Sequence, residues 1–261
     1  MNGIELDQSE MTAVMLLLSA SRVFGVADVV PAEPTARDEA FVAGLTKLRA
    51  RGLVTGKAPE QAIPDTGLMR LVSVVVDPRL VVVAERATGG DASLHFADDR
   101  GYVSLEGNAT SGYRLGWVDD TALLARRVLR FLEIEPTMVA TGSAFALPET
   151  AFSGARELAR AADQAAAEAA LVDAGLQPAQ SAAAAAALAP AAGGHVLVIR
   201  LNAGRAEAAR RAWVLAAQGG VGWVGWRPVP DDSQLRFEPL SAIQLAQVID
   251  RFAELLSPVR A

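Results

Sequence analysis

The chain has 261 residues, 51% hydrophobic and 21% charged, with 24 Lys and Arg against 30 Asp and Glu. That is ample for a real core in one large domain or two small ones, and it excludes a wholly disordered chain. The absence of cysteine excludes disulfides, thiolate metal sites and thiol nucleophiles, and the net charge of −6 disfavours a nucleic-acid binder, whose affinity comes largely from neutralised phosphates.

The opening MNGIELDQSE carries three acids and no base, which is not the pattern of a signal peptide, and a cytoplasmic location is expected. The aliphatic stretch 14–18 is far shorter than the roughly 20 residues of a membrane span. Met11, Val14, Met15 and Leu18 recur at helical spacing and predict a helix over 5–22. Gly25, Pro31 and Pro34 make 23–34 a connector. A second helix over 38–51 carries Phe41, Leu45 and Leu48 on one face and stops at Gly52; a short third covers 65–73. The pattern then changes to β-branched runs broken by polar turns. Strands at 79–87, 92–97, 101–106 and 113–118 form an antiparallel meander, closed by a helix from Asp119 or Asp120 to Leu132.

Residues 136–148 read as a connector. Half of 151–192 is alanine, the strongest helix former, which predicts two helices broken near Gly175 and Pro178. Strands follow at 195–201, 212–217, 222–227 and 235–238, and Ser241 caps a last helix over 242–256.

The two halves therefore share an order of elements. At a constant offset, Leu124, Ala125, Arg130, Phe131 and Glu133 match Leu245, Ala246, Arg251, Phe252 and Glu254. We expect an α+β fold with a quasi-two-fold internal repeat, an antiparallel β-sheet flanked by helices, its halves 1–135 and 150–261 packed as one globular unit; one shared sheet is the simplest arrangement, and two packed sheets are the alternative. The helices should cover one face and the ends.

No catalytic signature emerges. The two histidines, His95 and His195, have no partners at metal-site or triad spacing and read as structural. The pairs Asp98–Asp99, Asp119–Asp120 and Asp231–Asp232 lie between elements, where turns and caps favour Asp for its local hydrogen bonds; an enzyme with an unrecognised carboxylate site is the competing reading. No phosphate-binding or dinucleotide fingerprint is present, and no cofactor is expected. Trp213, Trp223 and Trp226 cluster in the second meander. Trp223 and Trp226 are three apart, so on one strand they face opposite sides, one a candidate for the core and the other for an exposed binding anchor. The stretch 41–54 (FVAGLTKLRARGLV), with Lys47, Arg49 and Arg51, also fits a winged-helix-like DNA-binding regulator.

The segment LTKLRARGLV, the later VDPRL leading into a strand meander, and the closing leucine-rich helix together resemble the EspG family, cytosolic chaperones of type VII (ESX) secretion. The resemblance implies a quasi-two-fold α+β protein without enzymatic activity that binds secreted PE–PPE heterodimers, helical proteins whose apolar tip needs cover before export. The partner-binding residues expected on this reading are Asp98, Asp99 and Arg100 of a sheet hairpin, with Trp223 and Trp226.

Overall fold

The computed structural model describes residues 3–90, 92–139, 141–188, 193–217, 220–229 and 232–257. The chain opens with a short strand β1 (Ile4–Leu6), then helices α1 (Gln8–Leu17) and α2 (Pro34–Ala50), a two-residue ribbon β2 (Val54–Thr55) and β3 (Ile63–Pro64), and α3 (Thr66–Val76). The first meander is β4 (Leu80–Arg86), β5 (Ala92–Asp98), β6 (Gly101–Asn108) and β7 (Gly112–Val118), closed by α4 (Thr121–Phe131). Next come β8 (Phe145–Pro148), α5 (Glu149–Arg160), α6 (Gln164–Asp173) and α7 (Pro178–Leu188). The second meander is β9 (Gly193–Asn202), β10 (Arg205–Ala217), β11 (Val221–Trp226) and β12 (Gln234–Pro239), closed by α8 (Ala242–Leu256).

The result is an α+β fold on one ten-stranded antiparallel sheet, in the order β1-β7-β6-β5-β4-β9-β10-β11-β12-β8. Leu201 N–H donates to the Arg79 carbonyl and Ala87 N–H to the Gly193 carbonyl, so β9 runs opposite to β4. Each meander carries a short strand from earlier in the chain beyond its last strand: β1 against β7 and β8 against β12.

Helix ends follow local chemistry. Asp7 and Glu10 form a reciprocal capping box on α1. Pro34 occupies the first turn of α2, whose free N–H groups at Thr35 and Ala36 donate to the Glu33 carboxylate. Asp65 caps α3 and Ser241 caps α8. Gly52, at φ +69°, and Gly175, at φ +100°, take the left-handed conformation that ends α2 and α6.

Two compact units emerge. The first comprises 1–82, 94–120 and 200–208. In it α1 packs on α2 and α3, burying Met11, Val14, Met15, Leu45, Leu48, Leu68 and Val72. The second comprises 83–93, 121–199 and 209–261. Its α4 packs on α8 through buried Leu124, Val128, Leu245, Ile249 and Phe252. Its other core joins α5, α6 and α7 to the sheet through Phe152, Ala155, Ala167, Ala184, Leu215, Trp223 and Phe237. The alanines let the three helices approach closely, and burial of the larger side chains stabilises by about 1.5–3 kcal/mol each.

The structure corrects several expectations. Glu5 belongs to β1, so α1 starts later, and α2 starts earlier, at Pro34. The connector 136–148 ends in β8. The alanine-rich block holds three helices, because Ala162 takes φ +61° and Asp163 then caps α6 with its side chain on Ala166 N–H. The sheet is not covered on one face alone: in β11 residues 222–226 are all buried, so both faces of that strand are covered.

Candidate partner-binding surface

In the first unit, the β5–β6 hairpin turns at Asp98 and Gly101, which pair across the ladder. Asp98 accepts the Arg100 backbone N–H at 2.7 Å, and its carboxylate lies 3.6 Å from the Arg100 Nε. Asp99 pairs with Arg79, both side chains being about 70% exposed. Gly101, at φ +133°, lies under the Trp117 ring. The three predicted hairpin residues are thus adjacent and charged, on a turn fixed by its own hydrogen bonds, with Asp99 and Arg100 exposed and Asp98 half-buried. The exposed Arg79–Asp99 pair gains little in stability, of order 0–1 kcal/mol.

Trp223 and Trp226 are elsewhere, in the second unit, and both are buried, at 1% and 5% exposure. The expectation of one core tryptophan is met by Trp223; that of an exposed anchor is corrected, because neither is exposed. Trp223 stands in the aromatic core, edge-on to Phe145 at 5.4 Å, with its Nε1 donating to the Ser143 carbonyl at 3.3 Å. Trp226, on the opposite face of β11, is covered as well.

The remaining candidates resolve into structural roles. His95 is buried and meets the Ser104 hydroxyl at 2.8 Å across β5 and β6. His195 Nε2 lies 2.9 Å from the Glu85 carboxylate; burial holds its pKa below the ordinary value, with Glu85 opposing and Arg211 and Arg156 reinforcing. Asp232 accepts the Gln234 N–H, a turn role, while its neighbour Asp231 lies outside the described residues. Among the described residues no three His, Asp or Glu side chains group to hold a metal.

The cations of the winged-helix reading are committed within the first unit. Lys47 pairs with Asp7 at 2.7 Å, Arg51 with buried Glu10 at 2.8 Å, and Arg49 donates to the Ala58 carbonyl at 2.9 Å. They lend no support to duplex binding. A groove of about 580 Å³ nearby is lined by Glu5, Asp7, Glu10, Glu106, Arg51 and Arg114. The Glu10 oxygens are taken by Arg51 and the Asp7 N–H, and Asp7 by Lys47, Ser9 and the Glu10 N–H. These carboxylates act as caps and ion-pair partners, not as a poised acid–base pair.

No protein-family model matches the sequence, and no curated protein does. A solved structure does: the Mycobacterium tuberculosis type VII secretion system chaperone EspG5, in complex with the PE25–PPE41 dimer. The likeness has a TM-score of 0.70 at 17% sequence identity and covers 99% of this chain and 98% of that one.

The chain has the EspG fold.

The near-complete coverage means that the EspG fold includes the alanine-rich helices α5–α7 as well as both meanders. The resemblance carried by LTKLRARGLV, VDPRL and the closing helix is met at the level of fold. In the structure these segments are the end of α2, the entry to β4, and α8. Sequence reasoning placed the hairpin correctly because Asp98–Asp99 between two strand-like runs is a turn signal. It named Trp213 but missed that Arg156 and Arg211 meet it on the second unit, their guanidinium carbons 4.4 and 5.2 Å from the indole centroid, because nothing in their spacing brings a helix residue onto a strand residue.

Proposed function

We propose that this protein is a non-enzymatic, cytosolic chaperone of type VII secretion that binds a helical PE–PPE-like heterodimer and keeps it soluble before export. The observation that carries this reading is the likeness to EspG5 over 99% of the chain. Two further observations support it. Among the described residues, no helix is long and apolar enough to cross a membrane. The histidines, and the carboxylates Asp7, Glu10, Asp65, Asp98 and Asp99, are occupied in caps, turns, ion pairs and hydrogen bonds, which suits a protein that acts by contact. The physical logic is that an apolar helical tip aggregates until it is covered. On this reading Asp98, Asp99 and Arg100 are contact residues on the β5–β6 turn.

The test is co-expression with a panel of PE–PPE heterodimers, PE25–PPE41 among them. The reading expects the soluble fraction of at least one heterodimer to rise when the chain is present. A panel whose solubility is indifferent to the chain counts against it.

A further inference from the structure

On β10, Arg211 and Trp213 are two residues apart and share a face of the strand. On α5, Phe152, Arg156 and Arg160 follow at four-residue steps along one side of the helix. The two elements meet at Trp213. The Arg156 guanidinium carbon lies 4.4 Å from the indole centroid and that of Arg211 5.2 Å from it. The Phe152 ring is 5.5 Å away and the His195 ring 5.4 Å. Both guanidiniums lie at cation–π distance, which holds like charges close together.

What distinguishes the place is the crowding of charge: Arg70 lies alone over Trp117 and Arg86 alone over Phe131, whereas two guanidiniums lie over Trp213. Among the described residues, Arg156, Arg160 and Arg211 form no ion pair, and Glu85, the nearby carboxylate, faces His195 at 2.9 Å. The crowding has a measurable sense. Burial first, then the charges of Arg160 and Arg211, pull the Arg156 pKa below its ordinary value. A planar guanidinium answers such a deficit best with a carboxylate, through two parallel N–H···O bonds.

We propose that Arg156 and Arg211, set over Trp213, with Arg160 one turn further along α5, form a docking site for an acidic stretch of the chaperone's polypeptide client. This deepens the chaperone reading and rests on it. Side-chain carboxylates are the source that fits: the chain as a whole carries a net charge of −6, which repels extended polyanions but leaves a local cationic spot open to a short acidic segment. The half-buried indole gives the aliphatic part of a Glu side chain a surface to lie on.

The experiment uses the full chain with labelled arginine. Hexaglutamate is titrated while the Nε–Hε signals of Arg156 and Arg211 are followed, with hexaglutamine and inorganic phosphate as controls. The proposal expects hexaglutamate to move both signals, hexaglutamine to move neither, and R156Q/R211Q to weaken binding by roughly tenfold or more. R160Q, at an exposed position that folding does not need, is expected to weaken it by a smaller factor. Unmoved signals, equal binding by the variants, or phosphate acting as well as the peptide would overturn it. The heterodimer panel separates the two claims. If wild type and R156Q/R211Q capture a client equally, the docking site falls and the chaperone reading stands; if wild type captures none, the chaperone reading falls.

Discussion

Gly44 of α2 lies directly against the backbone of Ser9 in α1: a Cβ placed on it would overlap the Ser9 carbonyl oxygen and stand 2.8 Å from the Ala13 methyl. In an open helix, Gly→Ala gains about 0.5–1 kcal/mol. Here backbone blocks the added methyl, and overpacking of about 1–3 kcal/mol or more wins. Gly44→Ala is therefore expected to lower the melting temperature by several degrees in a thermal scan, at about 2–4 °C per kcal/mol for a chain of this size. An unchanged or raised melting point would contradict the close crossing.

Phe237 joins the two ends of the aromatic row. It stacks on Phe145 at 4.7 Å, meets Phe152 at 5.3 Å, and lies over Gly225 of the neighbouring strand, where a Cβ would strike the ring. Phe237→Ala is expected to cost about 3–5 kcal/mol. Urea unfolding followed by tryptophan fluorescence measures this, and a cost below about 1 kcal/mol would mean that the ring is not packed as described.

Asp7 supplies a pH dependence. Burial works to raise its pKa, but the Lys47 ammonium, the Glu10 backbone N–H and the Ser9 hydroxyl outweigh it and hold the group at about 2, against 3.8 unperturbed. A carboxyl depressed in the folded state stabilises fully above its unfolded pKa, and that contribution is lost as pH falls through the folded value. The melting temperature of the native chain should drop between pH 5 and pH 2 more than that of Asp7→Asn. Parallel curves for the two proteins would refute the assignment.

His195 titrates in the opposite setting, half-buried and beside Arg211 and Arg156, with Glu85 as its counterweight. Its NMR midpoint is expected below 6.5, and Arg211→Gln should raise it, since one opposing charge is gone. Glu85→Gln should lower it further. A midpoint that ignores both changes would remove these neighbours from its environment.

Much of the architecture was legible where the pattern was strong. The β-branched runs and their polar turns gave the core of both meanders, and Gly52, Gly175 and Ser241 marked helix ends correctly. The misses have physical reasons. β1 has three residues and β8 four, too few for alternation to register. The first half of β10, RAEAARR, has no β-branched or aromatic residue; its extended form is set by a two-residue turn in which Ala203 and Gly204 both take positive φ. Asp163 was a readable cap that would have split the alanine-rich block. The burial of Trp226 was not readable, because alternation puts a residue on a face of the sheet without telling whether a helix covers that face.

The central claim is that this fold holds a helical client. Light scattering on a size-exclusion column, run on the chain co-purified with a PE–PPE heterodimer from the panel, reads it most directly. The account predicts one stable peak whose mass is the sum of one chain and one heterodimer. Separate peaks for the chain and for every heterodimer tested would contradict it.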